Sequence, residues 1–384
     1  MMASLISQEF GRYLNVCLNY KECRGPNGVR RTAGLMIIGI LLATCARCES
    51  QRSQARWFKT EWSWILEAWE KAGGKSPSTL KPPRQSDISR FQKVIPASEF
   101  NSIIDAEERR AAATELKASN DRGIIHLSAD GKARKGCVDS ETGRTEVDLT
   151  LLETSSGRVV AAVSLETKEG EKTALKKILS EKHEEFKGAV LTTDAGMTSI
   201  LKETAIADAE MEALIQIKGN SGEVYKEVKS MDWDRVKTKT TDLSKGHGRK
   251  EHRTTRVIDL NFVENEIQDK YPSIECAVEL EKWCKNTKTG AVSHSFRYYL
   301  GTAMISRILP KQVHTIIRDH WKIETYHYVK DVNLGEDRSL TVSSNASKFT
   351  ARIRGMIARM GKVYGSTKIL LEDFSRRPES ILYS

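Results

Sequence analysis

Residues 123–132 read G-I-I-H-L-S-A-D-G-K, and residues 189–196 read A-V-L-T-T-D-A-G. Each contains a short apolar run, Ile124 to Ala129 and Ala189 to Thr193, that ends on an aspartate followed by a small or flexible residue. Such runs, bounded by turn formers, read as buried strands with a carboxylate at their C-terminal ends. Between them lie two more strand-like runs, Val147 to Leu152 and Val159 to Leu165, joined by the hairpin signal Ser155-Ser156-Gly157. A helix from Glu171 to Lys182 leads into the second stretch, and a helix and the strand Ala213 to Ile217 follow it. Three consecutive strands, then alternating helix and strand, predict a mixed sheet with helices packed on it.

Upstream, the pattern is helical. Apolar residues recur at helical spacing through Leu35, Ile38, Leu41 and Leu42 and again through Trp57, Trp62, Ile65, Leu66 and Trp69. Gly73, Gly74, Pro77, Pro82 and Pro83 form a break. New helices start at Ser86 or Asp87 and at Pro96, and Asp105 to Ser119 is a charged, alanine-rich helix. Residues 1–120 are therefore expected to form a helical N-terminal domain, and residues 121–384 a second one. Downstream, Val257 to Phe262, Ile274 to Val278 and Ser295 to Leu300 suggest a β-rich insertion over about 220–305. After Pro310 a long helix runs from Lys311 to about Lys330, and a basic helix from Lys348 to Lys362 carries Arg352, Arg354 and Arg359. The order of elements is that of an α/β (α+β), RNase H-like fold.

The bulk properties narrow the function. The 384 residues carry a net charge of +10, which favours a polyanionic partner, nucleic acid above all; a merely basic enzyme is the alternative. Seven scattered cysteines fit a reducing compartment rather than a disulfide framework. Cys45 and Cys48 form a C-x-x-C with Cys17 and Cys23 upstream, but their spacing favours buried thiols over zinc. The apolar run Leu35 to Ala46 is too short to span a bilayer, and no cleavage site follows it. A soluble, cytoplasmic protein associated with the nucleoid is expected.

Carboxylates at strand ends are held by the sheet yet reach into a cleft, where metal-dependent phosphoryl transfer needs them. Either Asp130 or Asp194 alone could equally be a turn or capping residue. A third candidate lies on the long helix, where Ile317, His320, Trp321, Glu324, His327, Tyr328 and Asp331 share a face. An acidic group among aromatic neighbours needs a partner. A metal ion would serve, as would Arg318, Lys322 or a histidine. Lys245 to Arg253, including His247, Arg249 and Arg253, reads as a cationic turn that either grips phosphates or is simply solvated.

Taken in order, Asp130-Gly131-Lys132, Thr193-Asp194-Ala195, H-G-R-K-E-H-R (247–253), R-D-H-W-K-I-E (318–324), Asp331-Val332 and Glu336-Asp337 resemble the landmarks of DDE insertion-sequence transposases, in the H-repeat-associated, ISAs-type branch. The resemblance extends over nearly the whole chain. The stretch D-G-K-A-R-K-G-C departs from it at Lys135 and Cys137, and Thr325 and Leu334 depart as well. The resemblance implies catalytic, metal-binding Asp130, Asp194 and Glu324, two magnesium or manganese ions, and strand cleavage and strand transfer on double-stranded DNA by a homodimer. It further implies phosphate contacts from Lys132, His247, Arg249, Arg253, Arg318, His320 and His327. An RNase H-like nuclease that cuts without joining, and an inactive transposase-derived DNA-binding protein, are the alternatives.

Overall fold

A computed structural model describes residues 2–25, 29–118, 124–138, 143, 145–165, 170–202, 205–246, 248–339 and 343–379. The helices discussed are α1 Met2–Leu18, α2 Ala33–Cys45, α3 Gln51–Lys71, α4 Gln85–Val94, α5 Ala97–Ala118, α6 Glu171–Glu181, α7 Gly222–Ser230, α8 Pro310–His320, α9 Lys322–Tyr328, α10 Ser344–Val363 and α11 Thr367–Arg376. The strands are β1 His126–Val138, β2 Thr145–Glu153, β3 Arg158–Leu165, β4 Val190–Thr193, β5 Glu212–Ile217, β6 Lys239–Gly246, β7 Arg249–Asp259, β8 Cys276–Asn286 and β9 Val292–Gly301.

Among the described residues, nine strands form one sheet in the order β3-β2-β1-β4-β5-β9-β8-β7-β6. The first three make an antiparallel meander, while β4 and β5 run parallel to β1. This is the RNase H-like mixed sheet with flanking helices. The β2–β3 turn closes as its sequence predicts. Gly157 adopts φ +74°, and the Glu153 carboxylate accepts the Ser155 and Ser156 N–H groups at 2.8 Å.

The β-rich segment between Asp194 and Glu324 continues this sheet. Its strand β9 pairs antiparallel with β5, and β8, β7 and β6 add outward. Residues 245–253, expected as a turn, mostly belong to the β6–β7 hairpin, with Gly248 at φ +71° in the connection. Strand β6 was not expected from the sequence at all.

The helical region buries α2 on every side, all thirteen residues included. Its apolar core also takes in Phe349, Ile353, Met356 and Met360 of α10 and Leu370 and Phe374 of α11. The arginines of α10 are accordingly interior groups. Arg352 pairs with Asp105, Arg354 donates to the Leu334 carbonyl at 3.1 Å, and Arg359 meets Glu115 at 2.9 Å. Arg158 of β3 adds a buried junction with Glu9, Glu108 and Glu115, each at 2.7 Å. Cys17 and Cys45 are buried free thiols, and no helix among the described residues is long and apolar enough to cross a membrane.

Candidate active site

The site begins with the parallel pairing of β1 and β4. Ser128 lies opposite Thr192, and Ala129 opposite Thr193. Asp130 and Asp194 are the next residues in each case: Asp194 follows the end of β4, whereas Asp130 lies within β1, which was expected from the sequence to end there but which pairs on with β2. The two stand at one level on neighbouring strands, about 4.8 Å apart in the direction of pairing. Alternation along β1 turns Asp130 to the same face as Ser128. That face is covered by α8 and α9. Both the Ser128 and Thr192 hydroxyls lie 2.9 Å from Nδ1 of His320. His320 ends α8, and Glu324 lies one helical turn further on, in α9.

Ser128 also donates to the His320 main-chain carbonyl at 3.1 Å. A hydroxyl inserted at this point competes with the helical ladder and accounts for the break at Trp321, where one long helix was expected. Behind the clasp, Thr192 contacts Nε2 of His126 at 2.8 Å, and Thr154 contacts its Nδ1 at 3.0 Å. Burial pushes His126 down to about 3. Burial also lowers His320, against the opposing pull of the Asp130 and Asp194 charges, so both imidazoles are neutral near neutral pH.

Glu324 faces solvent, whereas Ile323 and His327 are the residues of α9 that are buried. The acid is not the buried member of an apolar stripe that the sequence suggested. Its carboxyl is raised by partial desolvation and by the Asp130 charge, while Arg297, His327 and Lys218 pull it down. His327 is buried, with Nδ1 3.5 Å from Oδ2 of Asp130. The other oxygen of Asp130 accepts the Gly131 N–H at 2.9 Å, and Asp194 accepts the Gly196 N–H at 2.8 Å. Among the described residues no three His, Cys, Asp or Glu side chains close into a ready-made ligand cluster.

The cations expected at phosphates fall into two groups. Lys132 is held by Asp331 at 2.6 Å, Glu336 at 3.0 Å and Asp337 at 3.5 Å. Arg253 is buried among Glu251, Asp242 and Ser244. Arg249 and Arg318 are exposed. His247 lies outside the described residues. Sequence reasoning missed Arg297, whose guanidinium sits 4.7 Å over the Trp321 ring, and Lys218, just beyond the C-terminal end of β5. Lys218 occupies the same strand-end position that singled out the aspartates.

A family model described as a transposase DDE domain matches residues 149–360. The match spans more than half of the chain, takes in Asp194 and Glu324, and begins beyond Asp130. Of the curated proteins, none matches. Among solved structures, the chain is similar to a piggyBac transposase in a synaptic complex with hairpin DNA, determined by cryo-EM. The identity is 11% and the TM-score 0.43, with 100% of this chain and 80% of that one covered. On the family match, the chain belongs to the transposase DDE domain family.

Proposed function

We propose that the chain is an insertion-sequence transposase of the H-repeat-associated, ISAs-type branch, cutting DNA at the ends of its element and joining the freed 3′ ends to target DNA. One observation carries the reading. The Ser128–Thr192–His320 clasp ties the Glu324-bearing helix to the two neighbouring strands that present Asp130 and Asp194.

The three carboxylates suit two magnesium or manganese ions in donor type, because oxygen ligands are what these hard cations take. They suit them in charge as well: Asp130 raises the Glu324 carboxyl, a repulsion that a cation between them would relieve. The set closes when Asp130 and Asp194 turn from the N–H groups of Gly131 and Gly196 toward Glu324. Bound there, the ions supply polarisation of the scissile phosphate and activation of the attacking hydroxyl.

The remaining work falls to the chain. Asp130 and Asp194, fixed at one level on adjacent strands, set the spacing of the site, and Glu324 completes it from the helix. His320 holds the helix in register while neutral, adding no positive charge. Arg297, Lys218 and Arg318 line the approach and hold the phosphates on either side of the cut. Arg249 extends this cationic surface along the sheet. The partners are double-stranded DNA and a second copy of the chain, one for each element end, and the place of action is the nucleoid of the cytoplasm.

An oligonucleotide assay with end-labelled duplexes tests the proposal, run with magnesium, with manganese and with a chelator. Metal-dependent nicking followed by joined products is the expected result. Nicking without joining would assign the chain to the nucleases, and DNA binding without cleavage in either metal would assign it to inactive derivatives.

A further inference from the structure

The outer ends of β6–β9 extend beyond the helices and are open to solvent on the face opposite the carboxylates. Near its base this face is covered, with Tyr298 packed against Tyr225 and Trp233 at ring distances of 5.7 and 6.1 Å. Further out it carries an unusual set of residues. Register places Leu243, His252, Trp283 and His294 in one row across the four strands. The next row toward the tip is Lys245, Lys250, Lys285 and Val292. Directly opposed residues in an antiparallel sheet share a face, so both rows point the same way.

Trp283 and His294 stack at 3.7 Å and 13°, and Phe296 flanks His294 at 4.5 Å. Trp283 is 43% exposed, Phe296 45% and Leu243 76%. Large apolar side chains gathered on one solvated patch mark an interaction surface. The chemistry beside them says what kind. The three exposed lysines stand on consecutive strands, so they span about 10 Å, and they run parallel to the aromatic row at about 7 Å from it. A cationic track alongside a stacking row fits a chain with phosphates on one side and flat rings on the other.

We propose that this face binds an unpaired DNA strand, with phosphates along Lys245, Lys250 and Lys285 and bases laid on Trp283 and His294. That the nucleic acid is DNA rests on the function proposed above; that it is unpaired follows from the platform, because bases inside a duplex keep their faces stacked on one another. The edge strand β6 separates this face from the carboxylate face. A strand freed at the site has a path around that edge onto the platform.

The test is fluorescence anisotropy on the full chain in chelator, with labelled oligothymidylate and a blunt duplex as probes. Trp283→Ala is expected to weaken oligothymidylate binding by about tenfold or more and to leave duplex binding unchanged, while Trp283→Phe retains most of it. Replacing Lys245, Lys250 and Lys285 together by alanine is expected to flatten the log–log salt dependence for the oligonucleotide by about two. An oligothymidylate affinity unaffected by Trp283→Ala, or equal losses on both probes, would overturn the proposal. So would a change in the sedimentation of the DNA-free protein without a change in oligonucleotide binding, because the face would then join copies of the chain. No cleavage is read in chelator, so failure of the carboxylate reading leaves this result standing, and the reverse also holds.

Discussion

Glu336 lies 1% exposed behind α9, with Lys132 3.0 Å from Oε2 and Lys330 2.9 Å from Oε1. Burial alone drives its carboxyl up, but Lys330, Lys132 and Arg354 together bring it down to about 2 from an ordinary 4.5. A depressed carboxylate contributes stability that is fully present above the unfolded-state value and is lost as the pH falls through the folded one. The shift corresponds to about 3 kcal/mol, similar to the cost of breaking a buried ion pair by removing one partner. Glu336→Gln is therefore expected to lower the unfolding free energy at neutral pH by about that amount. The difference from the parent chain should begin to shrink below pH 4.5 and continue shrinking toward pH 2. Urea unfolding followed by circular dichroism at stepped pH reads both quantities. A difference that stays constant down to the lowest pH at which the parent is folded would refute the electrostatic account, and an unchanged stability at neutral pH would refute the pairing itself.

Glu324→Gln, Asp130→Asn and Asp194→Asn are each expected to reduce metal-dependent cleavage by roughly a hundred- to thousand-fold without moving the urea midpoint. A Glu324→Gln chain that unfolds, while its folded fraction cleaves normally, would make Glu324 structural. Gly136→Ala should destabilise by about 1–3 kcal/mol, because a Cβ there runs into the main-chain carbonyls of Ser339 and Asp337, whereas Gly11→Ala, on an open helical face, should be neutral or stabilising; equal melting temperatures for the two would contradict this. Arg249→Ala should reduce the salt slope of duplex binding by about one with the fold unchanged. Arg253→Ala should lower stability first, since it leaves Glu251 and Asp242 without their shared cation; a melting curve beside each binding curve separates the two effects.

The strand β4 and the first part of β1 were legible because they are buried residue after residue, and a continuous apolar run is the imprint of that environment; β1 beyond Ala129 is partly solvated and polar, so its continuation past Asp130 was not legible. Strand β6 left no such imprint. It is mostly solvated along both faces, so its residues obey neither a buried run nor an alternation. The break at Trp321 was also hidden, since it arises from a hydroxyl on a strand far away in sequence. For the candidate site, residue type was legible and partnership was not. Lys132 and Arg253 look like phosphate ligands in a string of letters, and only the fold brings acids to them. The basic helix that carries Arg352, Arg354 and Arg359 was legible as basic, but its burial was not, because a sequence shows charge without showing what compensates it.

The sharing of one helical core between α1–α5 and α10–α11 bears on how the chain is made. Phe349, Ile353, Met356, Leu370 and Phe374 complete a core begun some three hundred residues earlier, so a growing chain cannot close that core until Phe374 has left the ribosome. Contacts of such sequence separation are slow to form. The sheet, synthesised in between, has its own apolar cluster and can form first. The clasp that brings Glu324 to the aspartates joins segments almost two hundred residues apart, and α9 is anchored from behind by the late helix α10 through Tyr326, whose hydroxyl lies against Gly355. On the function proposed above, a centre arranged in this way stays incomplete on the nascent chain until α10 has been made.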